Sequence, residues 1–300
     1  MTRYMKKIMM LVATGAALIS CGSKEKEYDA TGTFEATETI VYAEQSGRLL
    51  AFDVTEGSSL QAGQEVGLVD TAQLYLRILQ LEATKHVFSS QKPDTQTQIA
   101  ATREQLAKAL LEQRRYGELV KDGAAPRKTY DDAANQVNVL RRQLAAQTSS
   151  LNTQTASLDA QQRTTDTQIS QLRDQLRKCH VKSPIHGNVL EKYVEPGEFV
   201  TMGKPLFKVA DTGNMFIRAY VTSLQLQKIR TGQQVTVASD YGDKQGKTYP
   251  GTITWISDKS EFTPKTILTD DERADLVYAV KISVKNDGYL KIGMYGKVKF

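Results

Sequence analysis

The sequence predicts a mainly β protein that is interrupted by a long α-helical coiled-coil hairpin and ends in a β-barrel. Three observations lead to this prediction. A glycine-punctuated apolar segment occurs twice, as residues 47–69 and 187–209. Heptad repeats fill most of the sequence between the two copies. Short alternating segments rich in β-branched and aromatic residues follow between residues 213 and 300, which is typical of a small barrel.

The N-terminus predicts export and a lipid anchor. Arg3, Lys6 and Lys7 precede a short apolar stretch at residues 8–19, and Ser20-Cys21 follows. This order is similar to a bacterial lipobox, which implies a lipoprotein signal peptide over residues 1–20 and acylation of Cys21. An ordinary signal peptide with an incidental cysteine is the alternative. The chain has 39 Lys and Arg against 34 Asp and Glu. Without the signal its net charge falls from +5 to +2, so no nucleic-acid partner is expected.

The segments before the first copy of the repeat have two expected roles. Residues 21–30 are polar and without period, which predicts a tether. Residues 31–42 are expected to form a strand that joins the C-terminal barrel, because an inserted hairpin brings the two ends of a chain together.

The repeat predicts a small β-sandwich built from separated segments. The two copies align without a gap at an offset of 140 residues, and glycines and aliphatic residues coincide in that register. Each copy predicts two or three strands with tight turns, and a unit this short must pack against its partner to fold. The halves are assigned to residues 43–72 and 180–212. The glycines expected at the turns are Gly57, Gly63, Gly197 and Gly203.

Residues 73–179 predict an antiparallel coiled-coil hairpin with its tip near residues 121–127. Pro93 is expected to break the first arm near residues 89–93. In the second arm one heptad column is mostly leucine. The companion column is predicted to be Leu140, Gln147, Gln154, Gln161, Gln168 and Gln175. A seam with so few apolar residues buries little surface. It fits either a solvated helix pair or a hairpin that packs side by side with other hairpins.

Residues 213–300 predict the β-barrel, with a short helix over residues 223–229 and a closing strand at residues 297–300. The acidic run Asp270, Asp271 and Glu272 is interpreted as a solvated loop.

Catalytic motifs are absent from the sequence. It holds no phosphate loop, dinucleotide fingerprint, HExxH, GxSxG or CxxC. His86 is interpreted as a surface residue and Cys179 as a small apolar residue, and His180 and His186 have no acidic partner at motif spacing. No catalytic residue, no metal site and no cofactor are expected.

Taken together, the chain resembles the membrane fusion or periplasmic adaptor family, the haemolysin-D-like secretion proteins. In that family a coiled-coil hairpin splits a biotinyl/lipoyl-like domain, and a β-barrel follows. The segments that carry the resemblance are Val54-Thr55-Glu56-Gly57 with Gly63-Gln64, Ser183-Pro184-Ile185-His186-Gly187, Glu195-Pro196-Gly197-Glu198 and Ile292-Gly293-Met294. Because the hairpin replaces the turn that carries the modified lysine in lipoyl enzymes, lipoylation and biotinylation are not expected.

Two further features refine the resemblance. The stretch from Glu261 to Val280 looks like adaptors of ATP-binding-cassette exporters. At the hairpin tip the family often shows Arg, Leu four residues on and Ser seven further, and Arg115 and Leu119 fit this spacing. Pro126 stands at the Ser position and cannot donate a hydrogen bond. The chain stops soon after Gly293-Met294, without the fourth domain of many members, which favours a transporter with its own periplasmic portion.

The resemblance implies a non-enzymatic adaptor that bridges an inner-membrane transporter, of the ATP-binding-cassette class, to a TolC-type outer-membrane channel. It implies a closed homo-oligomeric ring of six copies in the periplasm of a Gram-negative bacterium, with the lipid anchor in the inner membrane. Three alternatives stay open: an adaptor of a proton-driven antiporter, a coiled-coil surface lipoprotein unrelated to export, and a swinging-arm carrier with a modified lysine.

Overall fold

The computed structural model describes residues 28–240, 246–261 and 277–300. It confirms the predicted fold class, because its strands form a sandwich and a barrel and its long helices form a hairpin. The strands are β1 (Ala30–Tyr42), β2 (Gly47–Phe52), β3 (Ser59–Leu60), β4 (Glu65–Val69), β5 (His180–Lys182), β6 (Gly187–Lys192), β7 (Phe199–Val200), β8 (Pro205–Thr222), β9 (Gln234–Asp240), β10 (Thr248–Glu261), β11 (Val277–Lys285) and β12 (Tyr295–Lys299). The helices are α1 (Ala72–Ser90), α2 (Thr95–Lys121), α3 (Arg127–Lys178) and α4 (Ser223–Leu226).

The two copies of the repeat form two sheets that are related by a pseudo-two-fold axis. One sheet has the order β5–β4–β2–β7, and the other consists of the second half of β1, the first half of β8, β6 and β3. Leu49 pairs with Val69 in the first sheet, and Val189 pairs with Val209 in the second, each position 140 residues after its counterpart. The strand register therefore repeats along with the sequence.

The copies also exchange strands across the sandwich. Gly47 pairs with Val200, and at the equivalent place Gly187 pairs with Leu60. One apolar core joins both copies, as burial of small strands requires. Its members include Leu49, Phe52, Leu60 and Val69 from the first copy and Val189, Val200, Leu206 and Phe207 from the second.

The symmetry extends further upstream than the sequence comparison suggested. His180 pairs with Leu68 as Ile40 pairs with Lys208, so β5 is the counterpart of the second half of β1. Residues 39–43 and 179–183 share only a valine, and this part of the repeat was not visible in the sequence. One consequence is that the hairpin follows the end of β4 at the position where, in the other copy, β8 continues into the barrel.

The barrel closes through the first half of β1. Its described strands follow the order β1–β12–β9–β10–β11–β8, and β8 pairs back to β1 between Thr31 and Ala36. The interior is filled by fully buried apolar side chains, each contributing about 1.5–3 kcal/mol of burial. They include Phe34, Ile217, Ile253, Ile282 and Val298.

In the hairpin, α1 and α2 lie antiparallel to the 52-residue α3, which is about 78 Å long. The first arm breaks at residues 91–94, as Pro93 predicts. Ion pairs join the arms, with Glu82 2.9 Å from Arg173 and Lys85 2.7 Å from Asp166. These pairs are about half exposed, so they fix the register of the arms more than they add stability.

The predicted companion column of α3 is wrong beyond Gln147. Gln154, Gln161, Gln168 and Gln175 are exposed, and the side chains turned towards the first arm are Thr155, Gln162, Ile169 and Leu176. The cause is a stutter: successive seam positions Gln147, Leu151 and Thr155 are each four residues apart, instead of alternating three and four. The stutter lies near the level where the first arm restarts as α2. A strict seven-residue repeat could not reveal it.

Asp94 caps the restarted helix. Its carboxylate accepts hydrogen bonds from the Thr97 amide at 3.2 Å and from the Thr97 hydroxyl at 2.5 Å. The side-chain bond from Thr97, followed by the backbone bond, lowers the pKa of Asp94. We expect Asp94→Ala to speed amide exchange in the first turn of α2, because the Thr97 amide loses its acceptor. Asp94→Asn keeps an acceptor and is expected to exchange like the wild type, as hydrogen-exchange mass spectrometry of residues 91–101 can measure.

The pH dependence follows from the sign of the shift. A lowered folded pKa stabilises the helix start above the unfolded Asp pKa of about 3.9, and this effect is lost as the pH falls through the folded value. The wild type should therefore lose its protection relative to Asp94→Ala in acid, whereas Asp94→Asn should retain it. An equal loss in the asparagine variant would contradict the role of the charged cap.

Candidate interaction surfaces

The turn of the hairpin is short and conformationally defined. α2 ends at Lys121, Gly123 adopts a positive φ of 69°, and α3 begins after Pro126. Pro126 has a φ of −68°, which suits the residue before a helix, and its carbonyl accepts a hydrogen bond from the Thr129 hydroxyl at 2.5 Å. The missing hydroxyl at this position thus leaves the start of α3 intact.

The structure brings the three predicted tip residues to the same end of the hairpin. Arg115 and Leu119 lie four residues apart on the last turns of α2, and Pro126 is exposed on the turn. Arg115 is exposed and forms no ion pair with any described residue, whereas Leu119 is half-buried. Arg115 and Pro126 are thus accessible from solvent, and Leu119 is accessible in part.

Beside them lies a groove between α2 and α3 of about 610 Å³, which the sequence did not reveal. Gly117 leaves room for the Tyr130 ring, since a Cβ there would lie 3.3 Å from Tyr130 Cε2. Arg114, Lys121 and Arg127 line the groove with Glu118 as their acidic neighbour. The lining of the groove therefore carries a net positive charge.

The four predicted turn glycines hold the two copies of the repeat together. Gly57, Gly63, Gly197 and Gly203 all have φ between 80° and 93°, where other L-residues are strained. The Gly57 amide donates to the Val189 carbonyl at 2.9 Å, and the Gly197 amide donates to the Leu49 carbonyl at 2.7 Å. Each turn thus bonds to the opposite copy, so these glycines act as structural residues of the sandwich.

The histidines and the described cysteine show no catalytic arrangement. Cys179 is buried behind the end of α3, and burial followed by the charge of Asp70 raises the pKa of its thiol. His180 Nδ1 lies 2.7 Å from Glu65 Oε1, an acidic partner that the sequence spacing did not indicate. Within residues 28–240, 246–261 and 277–300, no three His, Cys, Asp or Glu side chains are grouped closely enough to hold a metal ion.

An exposed apolar stripe runs along α1 on the face opposite α3. It consists of Leu76, Leu79 and Val87, each more than two-fifths exposed. The heptad columns of the sequence mark the seam and not this stripe, although positions 76, 79, 83 and 87 are spaced by three, four and four residues, as on one face of a helix. A helix with two apolar faces buries the second face only if it packs against a second neighbour.

The sandwich carries a second apolar surface on one copy of the repeat. Phe199 and Met202 are 66% and 69% exposed, whereas the symmetry-equivalent residues are the much smaller Ser59 and Ala62. Folding of the sandwich thus does not by itself need large apolar side chains at this turn.

Some predicted features lie outside the described residues. These are Cys21, the acidic run at residues 270–272 and most of the stretch that resembles adaptors of ATP-binding-cassette exporters. In the part of the chain that the structure describes, no helix is both long and apolar enough to span a bilayer.

Comparison with known proteins identifies the family. Residues 38–212 match the family model described as RND MFP, barrel-sandwich hybrid domain. A UPF0194 membrane protein of Citrobacter koseri is 30% identical over 83% of this chain and 81% of its own length. Another, from Acidithiobacillus ferridurans, is 25% identical over 97% of this chain and 93% of its own length.

Solved structures agree on the fold. MacA of Actinobacillus actinomycetemcomitans superposes with a TM-score of 0.55 at 21% identity, covering 90% of this chain and 76% of that one. A MacA–MexA chimera carrying the Pseudomonas aeruginosa MexA α-hairpin gives 0.52 at 23% identity, covering 90% and 78%. The family model spans more than half of the sequence, and it includes both halves of the sandwich and the hairpin. The chain therefore belongs to the membrane fusion proteins, non-enzymatic periplasmic adaptors of efflux systems that work with an inner-membrane transporter and an outer-membrane channel.

Proposed function

We propose that this adaptor is held by acylated Cys21 in the inner membrane of a Gram-negative bacterium, and that it links an ATP-binding-cassette transporter to a TolC-type channel. The observation that supports this most strongly is the two-ended layout. A closed barrel and a long hairpin with a basic groove near its tip continue from equivalent positions of the two copies in one sandwich, after Val209 and Val69. Movement of a transporter against the barrel would reach the hairpin through this shared core.

The class of transporter has two candidates. The resemblance of the stretch from Glu261 to Val280 favours an ATP-binding-cassette transporter. The matching family model is described as that of RND membrane fusion proteins, and RND transporters are proton-driven antiporters. This match favours an antiporter as the second candidate. Photo-cross-linkers at position 255 on the barrel and at position 119 near the tip, used in intact cells, separate them by the partner they capture. Capture of no transporter and no channel would contradict the bridging role.

The lipid anchor has its own measurement. Intact mass of the mature protein should show diacylglycerol and acyl groups on Cys21 and no modified lysine. A lipoylated or biotinylated lysine would favour the swinging-arm carrier instead.

We also propose that six copies form a closed ring. The α1 stripe and the Phe199–Met202 surface are two separate exposed apolar surfaces, one on the hairpin and one on the sandwich. Contacts that join different surfaces of neighbouring copies are head-to-tail, and head-to-tail contacts close into rings when the rotation permits. Neighbouring hairpins would bury the second apolar face of α1.

The ring predicts that charge on the α1 stripe prevents assembly. The double variant Leu76→Glu, Leu79→Glu is expected to remove higher oligomers from native mass spectra and from cross-linked membranes, because two carboxylates would be buried unpaired. Gln73→Glu adds charge on a polar flank of the same helix and should assemble normally. Normal rings from the double variant would contradict this interface.

A further inference from the structure

The rim of the barrel where β1 begins and β8 ends carries one strongly projecting apolar side chain. Leu224 of α4 is 76% exposed, the highest value among the large hydrophobic residues that the structure describes. Its orientation is fixed by its neighbours. Thr222 and Gln225 form a reciprocal capping box, and Leu226 packs against the barrel core. The short helix is thus anchored with Leu226 inward and Leu224 outward.

Positive charge surrounds this leucine. Lys228, Arg230 and Lys299 are exposed on the same arc of the rim, and none of the three forms an ion pair among the described residues. Asp29 lies on this arc as well, and its carboxylate accepts a hydrogen bond from the Phe300 amide at 2.9 Å. Among the described residues, Leu224 is thus accompanied by three cations and one carboxylate.

The N-terminal tether ends at the same place. Gln225 Nε2 of α4 donates to the Asp29 carbonyl at 2.5 Å, so the first described residues are fixed to this helix. Asp29 follows Cys21 by eight positions. Such a segment spans at most about 28 Å when extended and about 16 Å as a flexible coil. If Cys21 is acylated, as proposed above, α4 stays within a short distance of the lipid headgroups.

We propose that the α4 rim contacts the membrane surface directly, with Leu224 in the interfacial region and Lys228, Arg230 and Lys299 against anionic phospholipid headgroups. One projecting apolar side chain among cations is typical of an interfacial contact. A stable protein partner would instead need a broad surface of about 1,000 Å². The contact would set the tilt of the barrel, and hence of the hairpin, relative to the bilayer. This inference rests on the lipid anchor of the proposed function.

The test places an environment-sensitive fluorophore on Leu224→Cys in the full acylated protein, reconstituted in phosphatidylethanolamine–phosphatidylglycerol vesicles. Leu111→Cys is the matched control, since Leu111 is a 65% exposed leucine on α2. The buried Cys179 and the acylated Cys21 should not react. We expect spin-labelled lipids to quench the probe at position 224 at least threefold more than the probe at position 111. Lys228→Gln with Arg230→Gln, or neutral phosphatidylcholine vesicles, should reduce this difference by half or more.

The outcomes separate the inference from its premise. An unacylated Cys21, seen by mass, would contradict the anchor and with it the premise. An acylated protein whose position 224 is quenched no more than position 111 would overturn the lipid contact alone. Shielding of position 224 that requires the transporter in the same vesicles would assign the rim to the transporter and overturn the proposal as well.

Discussion

Gly187→Ala is expected to destabilise the sandwich by about 3 kcal/mol or more, because the new methyl group would collide with backbone. A Cβ on Gly187 would lie 2.2 Å from the Ala210 carbonyl oxygen and 2.6 Å from its carbon. Neither atom can move without separating β6 from β8, the strands that carry the second copy of the repeat. The loss should appear as a lower urea midpoint in circular dichroism.

The symmetry supplies a matched control at Gly47. There the Cβ would meet the Val69 Cγ1 atom at 2.8 Å, and the nearest backbone atom is 3.6 Å away, so the collision is with one methyl group and not with a paired strand. We expect Gly47→Ala to cost about 1 kcal/mol. A loss at Gly187 no larger than that at Gly47 would contradict the packing described for the second copy. If Gly187→Ala yields no folded protein while Gly47→Ala does, the same ranking holds.

This pair of glycines shows why the sandwich was predictable in part. The sequence reveals the offset of 140 residues between the copies because tight turns and close strand contacts require glycine at fixed positions, such as Gly57 and Gly197. The upstream strand was not readable. β5 and the second half of β1 share the strand register and one valine, and many side chains fit such a register.

The hairpin was predictable at the level of its arms and less so at the level of its seam. The helices are interrupted at Pro93 and at the turn with Gly123 because of the backbone preferences of these residues themselves. Such local causes are visible in the sequence. The stutter after Gln147 depends on where the other arm restarts, which is a tertiary constraint. The spacing of the apolar residues on α1 is visible in the sequence. That they form an exposed stripe becomes clear only when the other apolar face of the helix is known to pack against α3.

The candidate site was predicted mainly through resemblance. Spacing identified Arg115 and Leu119, and the structure adds the basic groove beside them, which depends on Tyr130 packing over Gly117 across the two arms. No sequence pattern marks such a pair. The α4 rim likewise depends on the barrel bringing residues 28–30 beside residues 223–226.

Leu119→Asp is expected to reduce cross-linking of the hairpin tip to the outer-membrane channel about thirtyfold, with a matching loss of export. Full burial of a leucine side chain contributes about 1.5–3 kcal/mol, and a carboxylate would add an unpaired charge. The measurement is site-specific cross-linking in cells from position 127, combined with an export assay. Because Leu119 is half-buried, Arg115→Glu provides a second test. Arg115 is exposed and unpaired among described residues, so this variant should fold normally and still weaken the contact.

The control for the tip is Leu111→Asp, which places the same charge on an exposed leucine of the same helix, eight residues further from the turn. Pro126→Ser adds the hydroxyl that resembles the family pattern, and it should keep or strengthen the cross-link, because Ser is also a good residue before a helix. If Leu111→Asp lowered the cross-link as much as Leu119→Asp, the channel contact would not be centred on the tip. If Arg115→Glu and Leu119→Asp both left export unchanged, the tip would have no role in docking, and the basic groove would need another partner.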